Sequence, residues 1–420
     1  MSRFRYFLLQ LRSKLWIKPA LTGLGAAVWI ELALLLPRHL HFDPPFEIDR
    51  DLLLSLLQIL ASTMLTVAIF AVSAMVAAFS SVTTTATPRA TRIVMQDRSS
   101  QNALAAFLSA FIYAIIALVA LSAVPYGDLG RFALFVGYVF TVVWVLVSFV
   151  RWVDQVSKLG RMNDTIQRVE EACHNAFTDP AVAGTLGAMP ATGDDPDGEK
   201  LRLSRIGYLQ HVDVADLQEL AATLETTIRL LVRPGAFIDR NRPVAVIQGG
   251  RPLDEEARET FDAAFTIGAE RHIESDPRFG LLMLAEIADR ALSPAVNDPG
   301  TAIAVIGCEI RLLSQWVDAS RATGECEYPD VEVPPLHASD LLDDGFMPIS
   351  RDGAAMFEVG TRLQKAFRAL HDLGHPGLAA AARVHSRLAL EQALEKLPTA
   401  HHRDQLRELA GRAFPPQEED

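Results

Sequence analysis

The chain has 420 residues, half of them hydrophobic, and a formal net charge of -12 at pH 7. That acidic balance lacks the Lys and Arg excess that neutralises a phosphate backbone, so no nucleic-acid partner is expected. The apolar residues crowd before Arg151 and the charged and helix-breaking ones follow it, so the average conceals one part suited to lipid and one suited to water.

Four apolar runs come first, at about Pro19 to Leu36, Leu52 to Val82, Ala103 to Val124 and Phe132 to Val150. A helix needs roughly 20 apolar residues to cross the hydrocarbon core, and each run reaches or approaches that length, so four transmembrane helices are expected. The first run exceeds the roughly 7 to 15 apolar residues of a signal-peptide core and precedes three more, so it reads as an uncleaved span. Glu31 is its one ionisable residue and lies close enough to Pro37 to reach an interface. Arg3, Arg5, Arg12, Lys14 and Lys18 precede the first run, and Arg89, Arg92 and Arg98 lie between the second and third. The positive-inside rule places both on the cytoplasmic side, with the two termini and everything after Arg151. The expected location is therefore a cell membrane crossed several times.

The second run exceeds a bilayer by about 10 residues, which predicts tilt or projection. Along it Ser62, Thr66, Ser73, Ala77, Ser80 and Thr84 recur at steps of three, four and seven, drawing a small and hydroxylated line on one helical face. Two readings stand open: a close-packing face between helices, or the lining of a pathway by Ser62, Thr66, Ser73 and Ser80.

From 152 to 200 the pattern predicts a helical extension through about Phe177 and then an acidic Gly and Pro linker, GAMPATGDDPDGEK. Residues 201–252 read as a small mixed α/β module, with a helix near Val214 to Ala222 and strands near Thr226 to Val232 and Val244 to Ile247. Its turn carries no Met-Lys pair to hold biotin or lipoate, and no cofactor is expected. Residues 253–414 read as helical, ahead of a disordered tail at 415–420. Asp276-Pro277 and Asp298-Pro299 each begin a helix: Asp accepts from free N–H groups and Pro loses no needed donor. The first helix is expected to bury Leu281, Leu284, Ala285, Ala288 and Leu292, and the second Ile303, Ile306, Ile310, Leu313 and Val317. Gly324 to Gly345, acidic and aperiodic, reads as a surface excursion, with helices resuming near Asp352.

Asp276, Arg278, Asp289, Arg290, Asn297 and Asp298 form the candidate cytoplasmic cluster, read either as helix caps with local ion pairs or as a ligand or regulatory site. His371, His375 and His385 read as solvated or packed, because Gly374 and Pro376 break the helical spacing a metal site would use. Cys173, Cys308 and Cys326 lack CxxC spacing and read as packing residues. No GxSxG elbow, phosphate-cradling glycine loop or HExxH is present, so neither catalytic residues nor a metal site is assigned.

The runs TPRATRIVMQDRSSQNALAAFLSAFIY from Thr87 and SDPRFGLLMLAEIADRALSPAVNDPGTA from Ser275 resemble a bacterial family of predicted membrane proteins, the domain of unknown function 2254. The likeness continues through GYLQHVDVADL at Gly207, RPGAF at Arg233 and PISRDGAAMFEV at Pro348, and departs at Thr85-Ala86-Thr87, where Gln-Phe-Ser is expected. The resemblance implies an N-terminal transmembrane unit followed by a cytoplasmic domain in the bacterial inner membrane; it implies no activity. The overall expectation is a mainly α protein: a four-helix transmembrane unit at 1–151, then a cytoplasmic α+β domain with a small β module and a helical C-terminal part. Two functions fit it. One is a homo-oligomeric channel for ions or small solutes, gated by the cytoplasmic domain. The other is a membrane-tethered sensor or scaffold that binds a protein or small molecule.

Overall fold

The computed structural model describes residues 17–39, 44–85, 87–90, 98–158, 162–193, 197–249, 253–322 and 326–414. Arg3, Arg5, Arg12, Lys14, Arg92 and the expected tail at 415–420 lie outside the described residues. The chain forms two compact units, Met1–Thr85 with Met95–Arg161 and Ala86–Val94 with Met162–Asp420.

The first unit contains α1 (Ile17–His39), α2 (Arg50–Thr85), α3 (Arg98–Ala123) and α4 (Asp128–Lys158). Among the described residues three stretches are long and apolar enough to cross a membrane, Arg50–Ser80, Gln101–Ala123 and Asp128–Val156, whereas the apolar stretch of α1, Ala20–Leu35, is shorter. Half of the α3 window is buried, against 28% for α2 and 22% for α4, which makes α3 the inner helix. Its alanines explain this. Ala103, Ala106, Ala110, Ala114 and Ala117 recur at steps of three and four and are all buried. Small side chains let helices approach closely, and close packing supplies attraction that the hydrophobic effect does not supply in lipid. The packing face of α2 is Leu53, Leu57, Leu60, Ala61, Ala68 and Ala71. At its start, Arg50 Nη2 donates to the Leu121 carbonyl at 2.8 Å, setting a cation on the C-terminal end of α3.

The second unit begins with α5 (Met162–Thr178) and the short α6 (Pro180–Ala183). The helical extension expected after Arg151 is thus covered by α4 and α5, with residues 159–161 outside the described set. The linker expected at Gly184 to Lys200 instead contains β1 (Ala188–Pro190) and the start of β2 (Glu199–Arg202). Strands of three and four residues are too short to declare an alternation; their pairing fixes them, β1 on Tyr328–Val333 and β2 on Pro243–Gln248. Next come β3 (Gly207–Val212), α7 (Val214–Leu224), β4 (Thr227–Leu230), β5 (Phe237–Ile238), β6 (Pro243–Gln248), α8 (Glu255–Ala263) and β7 (Phe265–Gly268).

The stretch Gly324 to Gly345 departs furthest from expectation. It supplies β8 (Tyr328–Val333), which lies between β1 and β4 and runs parallel to both. Val331 and Val333 are fully buried, while the acids alternating with them, Asp330 and Glu332, have partners. Asp330 exchanges two hydrogen bonds with Gln218, at 2.6 and 2.9 Å, and Glu332 pairs with Arg229. The five-stranded sheet has the order β1-β8-β4-β6-β2, and a three-stranded sheet has the order β5-β3-β7. Strands from 188 to 333 therefore share one core, with Leu217, Ile228, Leu230, Phe261 and Phe265 in it.

The helical part contains α9 (Pro277–Leu292), α10 (Pro299–Arg321), α11 (Ala338–Asp352), α12 (Phe357–Asp372), α13 (Pro376–Lys396) and α14 (Ala400–Ala413). Helix resumes at Ala338, well before Asp352, because α11 continues through Pro348. The five apolar residues expected on α9 are all buried. On α10 the buried line is shifted: Ile306, Leu313 and Val317 lie on it, Ile303 and Ile310 are half-buried, and Glu309 is buried in the same row.

Candidate functional site

The sequence cluster separates along α9. This 16-residue helix is about 24 Å long, so the groups at its two ends belong to different surroundings. At the far end Asn297 takes a left-handed backbone (φ 53), which Asn tolerates. Asp298 accepts from the Thr301 N–H at 3.1 Å and the Thr301 hydroxyl at 2.6 Å, and these bonds hold its carboxyl below the usual range. Arg290 stands in the last turn of α9, where a cation complements the helix dipole. Asp289 lies 3.5 Å from Arg351; burial, with Asp352 adding to it, pushes its pKa up to about 6 against the pull of Arg351.

At the near end Asp276 and Arg278 border a cavity of about 340 Å³ assembled from the segments 231–236, 271–278 and 334–340, with Arg242. Arg271 grips Asp276 with two bonds, Nε to Oδ2 at 2.7 Å and Nη2 to Oδ1 at 3.1 Å, and Asp276 also accepts from the Phe279 N–H at 3.2 Å as helix cap. Burial pushes the Asp276 carboxyl up and these bonds oppose it. Gly235 makes the close approach possible: its φ is +96, and a Cβ there would stand 2.2 Å from Asp276 Oδ2. Arg233 is half-buried and turns its guanidinium on three carbonyls, those of Gly184 (2.7 Å), Pro334 (2.8 Å) and Val182 (2.8 Å). Burial pulls its pKa down to about 10, which leaves it cationic at neutral pH. Arg278 bridges Asp344 and Asp340 at 2.6 and 2.7 Å.

Behind Asp276 stands the ring of Phe279, with two guanidinium groups near it: Arg271, 5.0 Å from the ring centroid, and Arg89, 5.9 Å from it. Arg89 also pairs with Glu286. Residues 87–90 belong to this second unit, although they lie in the connection between α2 and α3. Ala90 is fully buried, and its N–H donates to the Thr87 hydroxyl at 3.3 Å. The motifs that carry the family resemblance at Thr87, Arg233 and Ser275 thus meet in space.

A second locus was not foreseen. Glu309 on α10 is fully buried, and neither carboxyl oxygen has a hydrogen-bond partner among the described residues. Gly345 on α11 leaves room for it; a Cβ there would stand 3.0 Å from Glu309 Oε1. Burial and the neighbouring Asp289 push the Glu309 carboxyl well above the usual range. The buried oxygen Oδ1 of Asp289 also lacks a hydrogen-bond partner among the described residues. Among the described residues no group of three or more His, Cys, Asp or Glu is placed to hold a metal ion.

In the first unit Ser62, Thr66, Ser73 and Ser80 are exposed, on the side of α2 away from its packing face. Ser62, Thr66 and Ser73 return their hydroxyls to their own helix, on Ile59, Ser62 and Ile69 carbonyls at 3.1, 3.0 and 3.0 Å. Their line is therefore not covered by the described helices of the first unit. Cys173 and Cys308 are buried, as packing residues are, whereas Cys326 is exposed.

Of the cavity's charged groups, Asp276 and Arg278 were legible as a capped helix start. Arg233, Arg242 and Arg271 were not singled out as site residues, because only the topology brings their segments together. Comparison with known proteins gives the chain its place. It is similar over 118 residues to uncharacterised proteins of Mycobacterium bovis and Mycobacterium tuberculosis, each 37% identical, covering 26% of this chain and 22% of each relative. The match thus spans about a fifth of the length of these relatives. No solved structure matches. The model of the predicted membrane protein family, domain of unknown function 2254, matches residues 12–369, and the chain belongs to that family.

Proposed function

We propose that the protein is a membrane-tethered sensor, whose second unit binds a small ligand and passes the bound state to the membrane helices. In this reading α1 is a fourth span, both termini and the second unit are cytoplasmic, and the membrane is the bacterial inner membrane. The observation that supports it is the placement of residues 87–90. The connection between two apolar helices is folded into the second unit, with Ala90 buried, Arg89 paired to Glu286 and the Arg89 guanidinium near Phe279. A change at Asp276 would reach that connection through two side chains, Arg271 and Phe279, without requiring the whole unit to move. Such a path is a physical claim only if the element has two states that both ends bias. Hydrogen exchange of the full chain in lipid nanodiscs tests it. Glu286→Gln and Phe279→Ala are expected to raise exchange in residues 80–94 and at the start of α3. Changes confined to α9 in both variants would sink the reading.

A second reading, an oligomeric channel, draws on the uncovered hydroxyl line of α2. Several copies would have to bring their α2 helices around one axis, since the line faces no described helix of the first unit. Conductance in reconstituted bilayers that is lost in Ser73→Leu would favour it. Single copies in particle images of the detergent-solubilised protein would remove it.

A further inference from the structure

We propose that the cavity beside Asp276 is a binding site for a small organic phosphomonoester, a dianion with a compact body. This names the ligand of the sensing reading above and rests on it.

The charge balance of the lining is the first reason. Arg233, Arg242, Arg271 and Arg278 face the cavity against the carboxylates of Asp276 and Asp340, and Asp344, outside the lining, also holds Arg278, so the guanidinium groups outnumber the carboxylates by one. The excess is not neutralised at contact. Among the described residues no carboxylate lies within ion-pair reach of Arg233, whose three bonds all go to carbonyl oxygens. A guanidinium held this way is fixed in place and still projects its positive field, because carbonyl dipoles solvate a charge without cancelling it.

The remaining donors are the second reason. Arg271 spends Nε and Nη2 on Asp276, Arg278 spends Nε and Nη1 on its two aspartates, and Arg242 spends Nη1 on the Phe237 carbonyl at 3.0 Å. Among the described residues, Nη1 of Arg271, Nη2 of Arg278 and Nε and Nη2 of Arg242 have no protein acceptor. Planar guanidinium forks of this kind match phosphate oxygens, and pairing with a charged oxygen strengthens each bond. The prolines of the lining, Pro234, Pro277, Pro334 and Pro335, carry no N–H, so an acceptor-rich ligand would find its strongest donors on the arginines.

Size and shape are the third reason. About 340 Å³ lies at the lower end of small-molecule sites and exceeds what one inorganic phosphate fills. Val232, Leu336 and the prolines provide an apolar surface for the ligand's body. A phosphomonoester carries a charge of about -1.5 to -2 at pH 7, opposite in sign to the excess around the cavity.

The test uses the full chain in detergent with three probes: inorganic phosphate, glucose 6-phosphate and glucose. Calorimetric titration is expected to show saturable binding of glucose 6-phosphate, at least ten-fold tighter than inorganic phosphate, and none of glucose. Arg242→Gln, an exposed residue whose loss leaves the Asp276 pairing intact, is expected to weaken the sugar phosphate by about ten-fold, the effect of losing one charge-assisted contact. Absence of saturable binding by the folded wild-type chain, or equal affinity in Arg242→Gln, would overturn the site. Tryptic cleavage after Arg89 and Arg92 separates this from the sensing reading. Binding that leaves the cleavage rate unchanged supports the site and removes the coupling. Binding that changes the rate in wild type but not in Glu286→Gln supports both.

Discussion

Glu309 has a carboxyl group that no donor among the described residues reaches, and the neutral acid is the state that burial favours. An isolated carboxylate in a protein interior is far costlier than its protonated form. The linkage then has a definite sign. The unfolded chain releases the Glu309 proton near pH 4.3, while the folded protein keeps it to higher pH. Stability from this residue is therefore complete below about pH 4.3 and is lost as pH rises. Asp289 acts in the same direction, over the window from about 3.9 in the unfolded chain to about 6 in the folded one. Glutamine keeps the volume of Glu309 without the charge. In Glu309→Gln the melting temperature at pH 4.5 is expected to match wild type, and at pH 8 to exceed it by roughly 3 °C, the scale of one kcal/mol in a unit of this size. Thermal unfolding of the detergent-solubilised protein at both pH values decides the matter. A variant with the wild-type pH dependence would mean that Glu309 is ionised and solvated in the folded state.

The two Asp-Pro helix starts use the same local device and differ in what surrounds it. Asp298 is exposed and serves only the first turn of α10, so Asp298→Ala is expected to cost about 1 kcal/mol, the usual loss of an N-cap. Asp276 is 2% exposed and also balances Arg271 and the field of Arg233. Its replacement by alanine leaves the half-buried cations Arg271 and Arg233 without that anion, at a cost of about 3 kcal/mol. Denaturant titration of the two variants should reproduce that order, and equal losses would show that Asp276 is a cap and nothing else. The contrast also marks what a sequence discloses. Caps, three of the four expected apolar spans and the five buried positions of α9 follow from local spacing and were legible. The strand β8 was not, because Pro329 and three acids at 327, 330 and 332 mask an alternation whose inner members are Val331 and Val333. Its acids are satisfied by Gln218 and Arg229, residues more than 100 positions away. The cavity was illegible for the same reason: its guanidinium groups come from segments that only the order of the strands brings together.

The chain crosses between its two units at 85/86, at 94/95 and again at 161/162, so the second unit is not a simple C-terminal appendage. A fragment starting at Met162 would lack Arg89 and Ala90, leaving Glu286 without that ion pair and one face of Phe279 without its guanidinium. The loss can be bounded. A half-exposed ion pair contributes at most about 1 kcal/mol, and one buried alanine methyl contributes about 0.8 kcal/mol. Residues 162–420 expressed alone should therefore fold and remain soluble without detergent, because their own core is extensive, and should melt roughly 4 °C below the same fragment carrying 86–94 through a flexible N-terminal tether. Arg89→Ala in the tethered form should remove about half of the gain, since the ion pair supplies about half of it. Equal melting of the tethered and untethered fragments would mean that the connection rests on the second unit without stabilising it, and such a connection could not transmit a bound state to the helices on either side of it.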